Sequence, residues 1–500
     1  MSSESSDADT PDAYDELLDH TKRVSNLREA AGVLNWDQQV TMPEGGTPAR
    51  AGQLSALSAV THDLATDGRV GAWLGQLRDA DLSEERQAVV REVRREYDRE
   101  RDVPGDLVER LSRLQTEAQQ TWQEAKANDD FDVFAPTLED LRDLHRERAE
   151  HIDDDVSPYV VMFEDGEPYL PLDTVERVFD TLREELVPLI ADIREEGEPL
   201  PRPFEGSYSD EDQLALCQAA LDELGYDRSR GRLDTAPHPF MSGNQFDARV
   251  TTRFKPEDPL DALTATIHEF GHATYQLGLR QDEYATPLGQ PRSSGVHESQ
   301  SRFWENHVGR TRAFWEYFAP TFNDHLGTDL SAETLYEAAN RIYPDNLIRV
   351  EADELTYHFH IILRSEIDRA FVEGDVEADD IPQVWDEKME EYLGVTPDTD
   401  REGCLQDIHW SYGFAGFQNY TVGSVLAAQL DAAVREDLDV DSLVREGEFA
   451  PIREWMTENV HRHGQRYETD ELVEAATGEP LTADHFVEYA REKFTDLYDL

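Results

Sequence analysis

The chain has 500 residues, 38% of them apolar, and sets 108 acidic side chains against 46 basic ones, a formal net charge of −62. Charge of that sign and size repels nucleic acid and anionic lipid, and no run of 18 uncharged apolar residues is present to span a membrane. Two cysteines, Cys217 and Cys404, are too few and too far apart for a disulfide framework and fit a reducing cytoplasm.

The acidic N-terminus, residues 1–11, reads as disordered and lacks the basic and apolar segments of a signal peptide, so a cytoplasmic location is expected. The acid is spread through the whole chain. The only lysines are Lys22, Lys126, Lys255, Lys388 and Lys493. Such a surface repels itself at low salt and is relieved where the Debye length falls to roughly 3 Å near 1 M salt, as in a halophile's cytoplasm. From residue 12 onward most of the chain has helical periodicity. Residues 83–101 and 105–127 are charged helices with a narrow apolar stripe, punctuated by Pro104 and Gly105. Residues 131–153, 172–194 and 210–224 continue the pattern. Between about 232 and 254 the pattern changes. Pro237 and Pro239 forbid a helix, Ser242-Gly243-Asn244 forms a turn, and residues 247–254 alternate with period two. This predicts a small inserted antiparallel sheet, placed to form a cleft wall and able to hold an extended peptide. The expected fold is mainly α: one large bundle-like domain over residues 12–500 with a deep cleft. Residues 12–230 cover the cleft and residues 231–500 carry the site.

Residues 258–279 predict a helix, with Asp258 at the N-cap, Pro259 at N1 and Asp261 in a capping-box position. Inside it lies His268-Glu269-Phe270-Gly271-His272. Histidines at i and i+4 lie about 40° apart around a helix and one turn along it, so both imidazoles reach one ion. Glu269 stands beside them, within reach of a water on that ion, which makes it the candidate general base. In this composition chance produces about 0.1 such runs per chain. A structural pair of half-buried histidines is therefore the competing reading. A second helix predicted at 295–308 offers Glu298 as a third ligand, with Glu305 and His297 as nearby alternatives.

Several ordered signatures make the sequence resemble the carboxypeptidase Taq family of metallocarboxypeptidases from about residue 12 to the end. They are Leu34-Asn35-Trp36-Asp37-Gln38 and Met42-Pro43, Gly231-Arg232-Leu233-Asp234, His238-Pro239-Phe240, and Asp247-Ala248-Arg249-Val250-Thr251. Beyond the His-Glu-x-x-His run come His297-Glu298-Ser299-Gln300, Ile348-Arg349 with Ala352-Asp353, and Gly403 with Gln406-Asp407 and His409-Trp410. The resemblance implies a homodimer that removes residues from peptide C-termini with one divalent metal, and it puts the glutamate ligand at Glu298. Zn2+ suits two histidines and a glutamate, and Co2+ or Mn2+ fits the same set. One position departs from many glutamate-ligand zinc peptidases: Arg302 stands four residues after Glu298, where those enzymes place an acid. The partner of a ligand histidine must then come from elsewhere, and Asp353 is suggested.

For the transition-state oxyanion the chain offers His409 and Tyr420 first, with Tyr412 and His238 behind them. A free α-carboxylate is best met by an arginine fork. Arg349 is the first candidate, read as lying on a packed helix with a possible salt bridge to Asp353. Arg249 is the second, on the strand beside Asp247, its possible partner. Two other functions are carried forward. One is a helical zinc oligopeptidase, an endopeptidase with the same metal chemistry. The other is a peptide- or metal-binding scaffold without turnover, for which Glu269 would have no use.

Overall fold

The computed structural model describes residues 12–500, so the acidic segment 1–11 lies outside the described residues. The amphipathic stretches are helices at Glu84–Arg101, Gly105–Asn128, Ala135–Ile152, Leu172–Glu196 and Asp210–Leu224. Local chemistry sets their ends. Ser83 and Ser209 accept from the backbone N–H groups of Arg86 and Asp212, meeting donors left unpaired in a first helical turn. Pro104 is extended at the break between two helices, and Gly225 ends another in the left-handed region.

Two apolar clusters result. The larger runs from Leu111 to Tyr498 and carries most of the helices. The smaller joins the Asp12–Val40, Gly68–Leu77 and Glu84–Arg101 helices through Tyr14, Leu17, Leu74 and Tyr97, and reaches the rest of the chain at Leu288. The N-terminal helices also meet the sheet. The Trp36 ring lies under the guanidinium groups of Arg249 and Arg232, and Asn244 donates to Glu29 at 2.9 Å.

The sheet has three strands, β1 (Leu233–Thr235), β2 (Met241–Gly243) and β3 (Ala248–Thr252), in the order β1–β3–β2. It is mixed, not antiparallel as expected: β3 runs antiparallel to β2 and parallel to β1. The proline-containing loop 236–240 reverses the chain but sets β2 on the far side of β3, so the flanking strands never pair. The hairpin between β2 and β3 needs Gly243, whose φ is 143° and whose missing Cβ would sit 1.8 Å from the Asp247 carbonyl. Thr251 is fully buried, its hydroxyl bonded to Phe240.

Pro259–Gly278 is the predicted helix, with Leu260, Leu263, Ile267 and Phe270 turned into the core. Asp258 occupies its N-cap without a side-chain cap bond, and Asp261 pairs with Arg253 and Lys255 in place of a capping box. The second predicted helix is two elements. Ser294–Arg302 is α-helical, and Phe303–Gly309 widens into a π-helix. Such insertions gather at functional sites.

Candidate metal centre

A glycine decides how close the two site helices come. A Cβ on Gly271, inside the His-Glu-x-x-His run, would lie 2.4 Å from the Gln300 carbonyl and 2.5 Å from the Ser301 Cα. Only a glycine lets the Ser294–Arg302 backbone rest there. Gly423, on the Gln418–Asp437 helix, permits the same approach from the other side: its Cβ would lie 2.5 Å from the Cβ of Glu298. Glu298 is thereby pressed toward the histidines.

The donor atoms of His268, His272 and Glu298 all lie within 4.8 Å of one another. Glu298 Oε2 is 3.8 Å from His268 Nε2 and 3.4 Å from His272 Nε2. Each imidazole is held by its other nitrogen. His268 Nδ1 is 2.9 Å from Glu305 Oε2, and His272 Nδ1 is 3.1 Å from the His297 carbonyl oxygen. With Nδ1–H donated to these acceptors, the Nε2 lone pairs face the centre, the tautomer a metal ligand needs. The other oxygen of Glu298, Oε1, accepts from Arg302 Nε at 2.8 Å, which leaves Oε2 as a single free donor. Two imidazoles and one carboxylate, aimed at one point and anchored from behind, fit a divalent ion with room for water.

The charges follow an alternating line. Arg302 bridges Glu298 and Glu305, and Arg310 donates to the far oxygen of Glu305 at 2.7 Å. Burial alone would raise the Glu298 carboxyl, but the Arg302 guanidinium and His268 outweigh it and keep the group ionised well below the ordinary carboxylate range. Glu305 is likewise held down against burial by Arg310 and His268. Glu269 differs. It is 6% exposed, and its Oε2 finds no hydrogen-bond partner among the described residues. Burial raises its carboxyl, with the two histidines opposing.

The match to known proteins covers the chain. Residues 16–494 match the family described as carboxypeptidase Taq (M32) metallopeptidase. The chain belongs to that family. Carboxypeptidase 1 of Bacillus subtilis (strain 168) is 36% identical over 492 residues, 97% of this chain and 98% of that protein. Thermostable carboxypeptidase 1 of Thermus thermophilus is 35% identical over 509 residues, covering 98% and 100%. The crystal structure of an M32 carboxypeptidase from Deinococcus radiodurans R1 superposes with a TM-score of 0.94 at 35% identity, covering 98% of this chain and 100% of the other. As a carboxypeptidase Taq family member the chain is a metallocarboxypeptidase that takes peptide substrates and a divalent metal. Among the described residues no helix is long and apolar enough to cross a membrane.

Within this family member, His272, Glu298, His297 and Tyr420 line a cavity of about 520 Å3. Trp36, Tyr97, Asp247 and Arg249 line a neighbouring one of about 420 Å3, and Glu92, Glu96, Pro291 and Gln465 border both. The expected substrate residues separate. Arg349 is not helical: it opens a short 3-10 turn, Arg349–Glu351, and the helix begins at Thr356. Its partner is not Asp353 but Asp407, to which Nη2 donates at 2.8 Å. Asp353 accepts from the backbone N–H groups of Tyr343, Leu355 and Thr356, so it anchors the start of the Thr356–Glu373 helix; the partner of His268 is Glu305. A four-residue rule does not reach Glu305, seven positions after Glu298 and inside the π-helix.

His409 is near the same group, with Nδ1 3.8 Å from Asp407 Oδ1 and its ring 4.7 Å from that of Phe417. Burial and then Arg349 lower it to about 4, which leaves it neutral at pH 7. Burial and then Tyr357 push the Tyr420 hydroxyl up, so it stays protonated. Tyr357 is not among the residues the sequence marks for the site. It lies under the Arg302 guanidinium, and its hydroxyl is 3.4 Å from Arg349 Nη1, linking the metal side to the arginine. Arg249 is engaged by Asp247 at 2.6 Å and by Trp36. His238 is exposed in the loop between β1 and β2 and borders neither cavity. Tyr412 is 49% exposed.

Proposed function

We propose that the chain releases C-terminal residues from peptides, with His268, His272 and Glu298 holding a zinc ion and Glu269 acting as general base. The observation that carries this is the buried Glu269 Oε2, without a partner among the described residues, on the same helix as two histidines, one and three positions away, whose Nε2 atoms converge with Glu298 Oε2. A divalent ion bound there supplies Lewis acidity and makes water acidic enough to be deprotonated near neutral pH. Glu269 Oε2 takes that proton and returns it to the leaving amine. Tyr420 and neutral His409 donate hydrogen bonds to the oxyanion. Arg349, whose Nε and Nη2 are held by Asp407, meets the substrate carboxylate through its remaining N–H groups. Arg249 and Asp247 form the wall for the N-terminal side of the peptide, and His238 stays peripheral to it. We propose further that residues 12–500 act as one unit, as a homodimer, in a cytoplasm of high ionic strength.

Glu269→Gln tests the base: it keeps the metal and loses roughly 10²–10⁴ in rate. A fully active variant refutes the mechanism. Peptides with free and amidated C-termini separate carboxypeptidase from oligopeptidase, since equal cleavage of both removes any role for a carboxylate anchor.

A further inference from the structure

The Arg349–Asp407 pair has a third member that no motif contains. Arg364, on the Thr356–Glu373 helix, is fully buried, and its Nε donates to Asp407 Oδ2 at 2.8 Å. Its Nη1 donates to the His360 carbonyl at 2.6 Å, and its guanidinium lies 4.4 Å over the Trp385 ring. Its Nη2 has no hydrogen-bond partner among the described residues. Asp407 therefore sits between two guanidinium groups, and the side chains of Arg349 and Asp407 are only 8% and 12% exposed. One carboxylate cannot neutralise two arginines. The cluster keeps one surplus positive charge in a place where water screens it poorly, and such a charge is costly until an anion meets it. Asp407, held from behind by Arg364, also fixes the Nε and Nη2 side of Arg349, whose Nη1 lies 3.4 Å from the Tyr357 hydroxyl.

We infer that Arg364 is a positioning residue for carboxylate recognition: it supplies the surplus charge of the Arg349–Asp407–Arg364 cluster and locks Asp407, so that Arg349 discriminates a C-terminal carboxylate from an uncharged end. This rests on the reading that Arg349 meets the substrate carboxylate. Without Arg364 the remaining pair is neutral, and Asp407 competes with the substrate for the same guanidinium. With Arg364 the site accepts a second carboxylate without displacing the first.

The test uses the metal-loaded full chain and two probes, an N-acylated amino acid and its carboxamide, as competitive inhibitors, together with KM and kcat for an N-blocked dipeptide. Arg364→Met lowers the carboxylate-over-carboxamide affinity ratio by roughly tenfold or more and raises KM by a larger factor than it lowers kcat. Arg364→Lys, which keeps the charge, returns most of the ratio. A merely structural role would weaken both probes alike and leave the ratio where it was. Should Arg364→Met fail to fold, the contrast of Arg364→Gln with Arg364→Lys reads the same charge effect. An unchanged ratio in the neutral variants, with a collapsed ratio in Arg349→Met, overturns the inference and leaves the role of Arg349 standing. An unchanged ratio in Arg349→Met overturns the anchor reading itself.

Discussion

Gly271→Ala perturbs the site at the point where the two metal-bearing helices touch. The new Cβ would meet the Gln300 carbonyl at 2.4 Å and the Ser301 Cα at 2.5 Å, and both are backbone atoms that cannot rotate away. An ordinary non-bonded contact is about 3.5 Å, so the helices must part by about 1 Å. His272 is the next residue and Glu298 lies two before Gln300, so that displacement falls on the gap between His272 Nε2 and Glu298 Oε2. Overpacking of this kind costs about 1–3 kcal/mol, while exchanging glycine for alanine inside a helix returns about 1 kcal/mol. The net loss of stability is therefore about 0–2 kcal/mol. A 1 Å misplacement of site groups, by contrast, costs up to about 10²-fold in rate. Thermal unfolding of the metal-free chain, zinc affinity by chelator competition and kcat/KM on an N-blocked dipeptide separate the two effects. The expected pattern is a nearly unchanged metal-free Tm with zinc affinity and kcat/KM both reduced, the latter by about 100-fold. Wild-type zinc affinity in Gly271→Ala would refute the claim that this contact sets the ligand geometry.

Glu305→Gln removes the anionic acceptor of His268 and one partner of Arg302 and Arg310; metal affinity drops by roughly 10–100-fold, and an unchanged dissociation constant for zinc rules out the orienting role. Glu167 is fully buried, accepts from the Gly295 N–H at the start of the Glu298 helix, and is pushed up from 4.5 to about 7 by burial. A raised carboxyl favours the folded state fully below 4.5, and that contribution is lost as pH rises through about 7, amounting to up to about 3 kcal/mol. Glu167→Gln should abolish this slope in unfolding free energy between pH 4.5 and 8; an identical slope in the variant assigns it to other groups. With a net charge of −62, self-repulsion falls as salt rises, so Tm climbs between 0.1 and 2 M KCl, and a Tm that is highest at low salt contradicts the halophilic reading.

What sequence alone determined is what depends on short-range regularity. Helical pitch turns the spacing of His268 and His272 into a shared face whatever the rest of the chain does, and the same pitch sets the five charged helices between residues 83 and 224. The ordered motifs settled the family because their order and spacing run the length of the chain. What tertiary structure decided is which side chains meet across elements. Nothing local joins Arg349 to Asp407 or Asp407 to Arg364, residues 58 and 43 apart in the chain. The hydrogen bond from His268 Nδ1–H to Glu305 spans 37 residues and depends on a π-helix with no clear local signal. The strand directions differ from the antiparallel expectation, because period two reports which face a residue takes and says nothing about the direction of its neighbour. A glycine in the middle of the metal run looks unremarked in sequence; only when Gln300 and Ser301 lie against it does its lack of a Cβ become the reason that Glu298 can approach the two histidines.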